Sequence, residues 1–428
     1  MAAAREFDVV VFGATGFTGQ RVLEEALRAL PPSTRLAVAG RSAASLSALA
    51  QRLAAPGRLQ VIGGVQASDD AALAAMAART RLLLNCAGPF RELGGGVFAA
   101  CAAAGTDYLD ICGEPEFIER MALRHGAAAA ASGAVMASAA GFDSLPADMG
   151  ALMVSREFVP PAVPGAVEAV ITLAPGPGGT SIHYATWAAA VQGMGSVAEL
   201  RRLRGEARRA GLNPPPRLLG PRPKAPEGPT WDARLGLYTL PFPGADASVV
   251  RRTQSALAAA GEPAVHFTAR FTVPSAWAAV QFVFWAGLVF STLCKAAWGR
   301  ALLLRFPGFF SRGLVTHAGP SEAQMAATTT TLDFFAAGWS APPPPGVAPG
   351  APDRAVHAQV TLGDPGYRCT AVMLVAAAAT LLEDDRNAML AAVGGRGGVF
   401  TVGQLFRNSS LMSRLDARGV RYAVKRAA

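Results

Sequence analysis

Three glycines stand three residues apart in the run Val11-Phe12-Gly13-Ala14-Thr15-Gly16-Phe17-Thr18-Gly19. A short apolar, β-branched run, Asp8–Phe12, precedes them, and a helical pattern, Gln20–Leu30, follows. Between a strand and a helix this spacing makes a phosphate cradle. Gly13 permits the tight turn, Gly16 lets the backbone approach a pyrophosphate, and Gly19 lets the helix pack on the strand. The open amides around Thr15, Phe17 and Thr18 then face the phosphates at a helix start. A purely structural glycine turn is the competing reading, and the strand–turn–helix context weighs against it.

A second strand pattern, Leu36–Ala39, runs into Gly40-Arg41-Ser42. Sites that prefer NAD usually carry an acidic residue there for the ribose 2′-hydroxyl. Arg41 and Ser42 suit a 2′-phosphate instead, by charge and hydrogen bonding, which favours NADP(H) over NAD(H). The run Arg81–Asn85 ends in Cys86-Ala87-Gly88-Pro89. Asn85, Cys86, Ala87 and Gly88 should border the same crevice, because open parallel sheets bind ligands beyond their carboxyl ends.

Groups able to move a proton are less clearly marked. Asp110, Glu114 and Asp143 follow expected strand ends, where a cleft carboxylate can act as acid or base. A helix cap or turn stabiliser is the alternative for each, and Asp143-Ser144 before Leu145-Pro146 reads well as a cap. His183, beside the glycine-rich run Pro175–Gly179, is a candidate proton donor or a surface group. Cys86 is a candidate nucleophile, though ordinary packing suits it better. Asp143, His183 and Glu114 remain the catalytic candidates. No Tyr-x-x-x-Lys pair occurs, since Lys224, Lys295 and Lys425 are the only lysines. Neither the five histidines nor the five cysteines show metal-ligand spacing, so no metal is expected.

The elements that must position these groups alternate. Strand and helix patterns follow one another up to Ala134–Ser138, the signature of a doubly wound parallel sheet. Residues 1–150 therefore read as an α/β nucleotide-binding domain of Rossmann type. Residues 151–390 read as a mixed-sheet, α+β substrate domain. Its strands are expected at Val167–Leu173, Leu235–Leu240, Val265–Val273, Thr328–Phe335 and Val356–Leu362. A helix carrying His183 is expected over Thr180–Val191, and an apolar helix over Cys369–Leu382. Asn213–Pro229 and Pro342–Pro345 read as loops, and residues 391–428 as a segment packing back on the first domain.

The quoted motifs resemble the saccharopine dehydrogenase family. Tyr108-Leu109-Asp110-Ile111-Cys112-Gly113-Glu114 and Gly141-Phe142-Asp143-Ser144-Leu145-Pro146-Ala147-Asp148 strengthen the likeness. Ser248–Gln254 and Gly397–Thr401 place it nearest the animal saccharopine dehydrogenase-like oxidoreductases. The resemblance covers nearly the whole chain and implies the fold and the cofactor more firmly than any substrate. Related bacterial members include trans-acting enoyl reductases of glycolipid synthesis.

One segment fits no soluble nucleotide domain. Phe271–Cys294 is 24 residues without a charge, and it holds Trp277, Phe282, Phe284, Trp285 and Phe290. As a helix it would be ~36 Å long, enough for a hydrocarbon core of ~30 Å. Lys295, Arg300, Arg305 and Arg312 follow it and suit anionic head groups. A full crossing would separate strands that belong to one domain, so a dip into one leaflet, or a hairpin kinked near Gly287, is expected. A buried core helix is the alternative.

The whole chain of 428 residues is 51% hydrophobic and 16% charged, which excludes disorder as its main state. Five scattered cysteines exclude a disulfide scaffold and suit a reducing compartment. The net charge of +9 favours phosphate-bearing ligands or anionic surfaces. The arginine-rich pattern Glu199–Arg209 is interrupted by Glu199 and Glu206 and lacks a reader motif, so nucleic acid is not an expected partner. Met1–Phe7 holds no apolar signal core, so a cytosol-facing membrane or lipid-droplet location is expected rather than secretion. The sequence carries no signal for an oligomeric state. Two functions stay open: an oxidoreductase acting on a small or lipid-linked substrate, and a membrane-associated interaction protein that keeps the nucleotide fold without turnover.

Overall fold

The computed structural model describes residues 5–53, 57–212, 216, 218–223, 226–344 and 347–425, with residues 288 and 289 as backbone only. Parts of the two expected loops, Lys224 and the tail 426–428 lie outside the described residues.

Among the described residues sixteen strands follow in chain order, beginning with β1 Phe7–Phe12, β2 Leu36–Ala39, β3 Leu59–Ile62, β4 Thr80–Asn85, β5 Asp107–Asp110, β6 Val135–Ala137, β7 Val163–Ala174 and β8 Ile182–His183. After these come β9 Thr230–Asp232, β10 Leu237–Pro241, β11 His266–Val273, β12 Val315–Thr316, β13 Thr329–Trp339, β14 Arg354–Leu362, β15 Gly398–Phe400 and β16 Arg421–Lys425. The helices of the first half are α1 Phe17–Ala29, α2 Ala43–Arg52, α3 Asp70–Ala78, α4 Phe90–Ala104, α5 Pro115–Ser132, α6 Leu145–Arg156, α7 Tyr184–Gly195 and α8 Val197–Arg209.

The first sheet is parallel throughout, in the order β15-β6-β5-β4-β1-β2-β3. Its strands are apolar on successive residues because helices cover both faces. Val10 and Leu83 pack with Phe98 of α4 and Phe117 of α5 on one face. On the other face, Val9, Val11, Leu82 and Leu84 meet α1 and the helix Arg368–Glu383. That helix is almost wholly buried, and its run Ala376–Ala379 lets it lie close to its neighbours. The same apolar cluster continues to Phe334 and Val360 of the second sheet, so one core joins both sheets.

The second sheet runs β16-β14-β13-β7-β11-β10-β9. β7 and β11 are parallel, and the other neighbours are antiparallel. The doubly wound sheet plus a mixed sheet is therefore present as the sequence predicts. The sequence-drawn boundaries fall inside elements, residue 150 within α6 and residue 390 within the helix Arg386–Ala391. Beyond residue 390 the chain divides its strands: β15 pairs with β6, whereas β16 pairs with β14.

Local differences have physical causes. α1 begins at Phe17 rather than Gln20, because the extended Gly16 is already its N-cap. The helix expected over Thr180–Val191 begins only at Tyr184. Ile182–His183 is drawn into a two-stranded ribbon with β12, and His183 becomes the N-cap.

The apolar segment behaves unlike either simple expectation. Phe271–Val273 belong to β11, and the helical path runs from Ala276 to Lys295. It is α-helical to Phe282, π-helical over Val283–Phe290, and α-helical again over Ser291–Lys295. By length and composition alone, this 20-residue helix could cross a membrane, but only 12% of its most apolar stretch is buried within the chain. That excludes the buried core helix. The helix does not end in a hairpin near Gly287 but passes through it in the π-helical stretch. The break falls at Ala296, and the helix Ala297–Arg305 folds back on Leu293 because Gly299 has no Cβ to strike the Leu293 carbonyl. We call residues 276–314 the elbow.

Candidate functional site

The glycine turn lies at the carboxyl end of β1, inside the first sheet between β4 and β2. Gly13 has φ +79, and a Cβ there would sit 2.8 Å from the Ala87 amide nitrogen. Glycine is thus required both for the turn and for its contact with the loop after β4. At Gly19 a Cβ would strike the Gly13 carbonyl, so α1 can pack on the turn only without one. Gly16 is different. Its φ of −71° and ψ of 163° suit any residue, and a Cβ would meet one atom only, the Gly13 oxygen in a tight contact at 3.3 Å, with nothing else within 4 Å. The space beside Gly16 is therefore free for something outside the chain. The amides of Phe17, Thr18 and Gly19 make no backbone bonds, whereas those of Gly16 and Gln20 do. Open amides at the positive end of a helix dipole suit an anion.

Other expected contacts sort themselves by what their side chains already do. The Phe17 ring stacks on His183 at 4.7 Å, meets Tyr367 edge-on at 4.8 Å, and carries the Arg21 guanidinium 3.9 Å from its centroid. It belongs to an aromatic cluster, so only its backbone faces the turn. Thr15 offers its carbonyl to Gln20 Nε2 at 2.9 Å. Ser42 Oγ accepts the Ser45 amide at 3.1 Å and so caps α2. Arg41 is exposed and has no ion pair or hydrogen bond among the described residues. Asn85 is buried; its Nδ2 donates to Tyr108 and its Oδ1 accepts the Ala87 amide. It shapes the loop from beneath. Ala87 and Gly88 lie at the partly exposed rim, and burial pushes the Cys86 thiol up, which keeps it protonated and inert.

The three acids have unequal roles. Asp110 accepts four hydrogen bonds, from the amides of Cys112 and Ala139 and the hydroxyls of Tyr108 and Ser138, all at 2.9 to 3.0 Å. It ties the ends of β5 and β6 together, although burial lifts its carboxyl to about 6. Glu114 accepts the Phe90 amide at 2.9 Å and the Arg91 amide at 3.3 Å, which caps α4. The capping alternative is correct for Glu114, but on α4 rather than on the helix that follows it. Burial raises this carboxyl to about 7 against the pull of those two amides. Asp143 makes no hydrogen bond or ion pair through its side chain, and it is exposed. Ser144 is the N-cap of α6, but its side chain makes no capping bond.

His183 caps α7, its Nδ1 accepting the Ala185 amide at 3.1 Å. Its own amide donates to the Tyr367 hydroxyl at 2.7 Å. Tyr367 thus stands in the site without having been singled out by the sequence. The only local signal for it is the turn Gly363-Asp364-Pro365-Gly366, where Asp364 accepts the Tyr367 and Arg368 amides. Thr370, one turn on, accepts the Phe142 amide and brings this helix start to the loop that bears Asp143. Over the cluster lies the β8–β12 ribbon, with Gly319 packed so close to Phe17 that a Cβ would lie 2.8 Å from its ring.

These features define a class: a nucleotide-dependent dehydrogenase fold with its cofactor turn intact. Residues 9–137 match the model of the saccharopine dehydrogenase NADP-binding domain. A saccharopine dehydrogenase-like oxidoreductase of Mus musculus is 38% identical over 98% of this chain and 97% of its own length. A lipid droplet localized protein of Caenorhabditis elegans is 29% identical over 98% of both chains. Saccharopine dehydrogenase (L-Glu forming) of Saccharomyces cerevisiae, a solved structure, shares the fold with a TM-score of 0.55 at 13% identity, covering 98% of this chain and 100% of its own. The chain belongs to the saccharopine dehydrogenase-like oxidoreductase family, and NADP(H) is its favoured cofactor. The free space at Gly16, the open amides and the unpaired Arg41 fit that cofactor.

Proposed function

We propose that this protein is an NADP(H)-dependent oxidoreductase that works on a lipid-linked substrate at a cytosol-facing membrane or lipid-droplet surface. In this reading the turn Gly13–Gly19 holds the pyrophosphate, Arg41 with Ser42 holds the 2′-phosphate, and the rim Asn85–Gly88 flanks the nicotinamide half. The cofactor supplies hydride chemistry; the chain binds and orients it.

One observation carries the lipid part. The elbow exposes Trp277 at 68%, Trp298 at 69% and Phe309 at 76%, and Lys295, Arg305 and Arg312 are exposed among them. So large an apolar surface usually marks an interaction site. It is also joined to the cofactor site. Trp187 of α7 donates to the Leu303 carbonyl at 3.0 Å, and α7 begins at His183. From Phe310 the chain runs on to β12 and to Gly319, packed against Phe17. Both ends of the elbow excursion meet the second sheet beside β7, which favours a monotopic dip over a crossing. The relative named for lipid droplets agrees with this location.

Purified protein should oxidise NADPH with a cellular lipid extract and change the mass of a lipid species, while a Gly16→Trp variant does neither. It should also float with vesicles of phosphatidylcholine and phosphatidylserine. In cells, tags at both ends should stay open to protease. Turnover confined to water-soluble metabolites, failure to float, or a mitochondrial-matrix location would overturn the reading.

A further inference from the structure

Reduction of a polar double bond requires a proton as well as a hydride. At the carboxyl end of the first sheet nearly every protic side chain is already engaged. Asp110 has its four donors, Glu114 caps α4, and Tyr108 is closed between Asn85 and Asp110. His183 Nδ1 holds the Ala185 amide, and burial keeps Cys86 and Cys112 as thiols. Asp143 is the exception.

Its position is specified by its neighbours. A Cβ at residue 113 would lie 2.7 Å from Asp143 Cγ, so the glycine there leaves the place this carboxyl occupies. The loop bearing it leaves β6 through Ala139, whose φ of +61 is a strained left-handed conformation. Asp110 fixes that strain by accepting the Ala139 amide at 3.0 Å. Strained backbone held by a buried network gathers at functional sites. The groups acting on Asp143 are the carboxyls of Asp110 and Asp246 and the neutral Cys112 and Tyr367. No cation is among them.

We propose that Asp143 is the proton-transfer residue of this oxidoreductase and stands beside the nicotinamide ring. The inference rests on the NADP(H) reading above. In the reductive direction the bound cofactor would supply a hydride to the substrate carbon, giving up its own C–H bond and becoming NADP⁺. The π pair shifts to the adjoining atom, which takes the proton as the O–H bond of Asp143 breaks. The carboxylate that remains is reprotonated from solvent, and the oxidative direction reverses each step. Although the side chain reaches solvent, the protein packed around it and then the charge of Asp110 lift the Asp143 carboxyl to about 6, so both protonation states are accessible near neutrality.

The test needs no substrate. NADP⁺ carries a positive charge on its nicotinamide ring that NADPH lacks, so an ionised Asp143 beside the ring favours NADP⁺. The ratio Kd(NADPH)/Kd(NADP⁺), measured by calorimetry, should rise by about fivefold or more from pH 5 to pH 8, a typical coupling between neighbouring sites. The 2′-phosphate titrates in the same range but is common to both forms and cancels in the ratio. Asp143→Asn should bind both forms with a flat ratio. Gly113→Ala, which displaces the carboxyl without removing it, should give an intermediate rise and serves if Asp143→Asn does not fold. A flat ratio in the unmodified protein, or an unchanged slope in either variant, overturns the role of Asp143. Failure of both nucleotides to bind at any pH overturns the cofactor reading instead.

Discussion

The cofactor edge of the first sheet and the elbow obey opposite rules. At the sheet edge, polar side chains are buried and answered: Asn85, Tyr108, Asp110 and Glu114 each have their partners within the chain. On the elbow, apolar side chains are exposed and unanswered, as at Trp298 and Phe309. A buried polar group without a partner costs stability, so the first arrangement holds the fold together. Exposed tryptophan contributes little to that, and its presence points outward, to a partner the chain itself does not supply.

This contrast can be broken by substitution. The largest effect should come at the sheet edge from Gly16→Val. Its backbone suits valine, yet the side chain would fill the space of a pyrophosphate, so NADPH affinity should fall at least 100-fold with little change in the unfolding midpoint. Calorimetric binding close to that of the unmodified protein would remove the cofactor from this turn.

Next is Glu114, whose native carboxyl is raised to about 7 from its ordinary 4.5. Between those values the folded chain keeps a proton that the unfolded chain has released. Stability should therefore fall as pH rises from about 4.5 to 7, with this group contributing about 3 kcal/mol of the decline. Thermal unfolding across that range should show a shallower decline in Glu114→Gln, and an identical slope would mean that Glu114 does not titrate there.

Arg41→Asp should weaken NADPH by roughly 10- to 100-fold, the loss expected of a charged hydrogen bond, and leave NADH almost unchanged. Fluorescence titration decides this, and equal affinities for the two nucleotides in the unmodified protein would contradict the assignment. The smallest effect on stability should come from the elbow. Trp298→Ser with Phe309→Ser should alter unfolding by no more than about 0.5 kcal/mol, as surface substitutions do. A large destabilisation would show that these aromatics pack within the protein after all.

How much of this was legible beforehand depended on the range of the interactions. The β1–turn–α1 unit and the parallel sheet are written in consecutive residues, because a strand covered on both faces must be apolar throughout. The mixed second sheet could be inferred from its long strands. The partners of the acids were not legible. Nothing near Glu114 says that its carboxyl will reach the start of α4, 24 residues back. Tyr367 reaches His183 across 184 residues, and β15 joins β6 from the far end of the chain. The elbow's apolar character was plain, yet the end of its helix at Ala296 was not, and the hairpin offered near Gly287 as one of two forms is not seen. A glycine matters where backbone approaches backbone, and that happens at Gly299.

The register of the second sheet has a consequence for how the elbow can vary. The pairing of β11 with β7 ends at Phe271 beside Ile171, and β13 begins with Thr329 beside Ala174, so the excursion leaves and re-enters at one end of the same strand. Two strand spacings, ~10 Å, separate its ends. A loop closed so tightly can be lengthened or trimmed at its tip cheaply, since each doubling of length costs only ~0.6 kcal/mol in closure entropy. Insertions, deletions and changes of composition in the exposed stretch 282–287 are therefore tolerable to the sheet, whereas Cys294 and Leu303, buried against Val191 of α7, are not part of that freedom. The fold can be fitted to surfaces of different shape and charge by editing this tip, with the contacts from Leu303 to α7, and so the nucleotide site, left as they are.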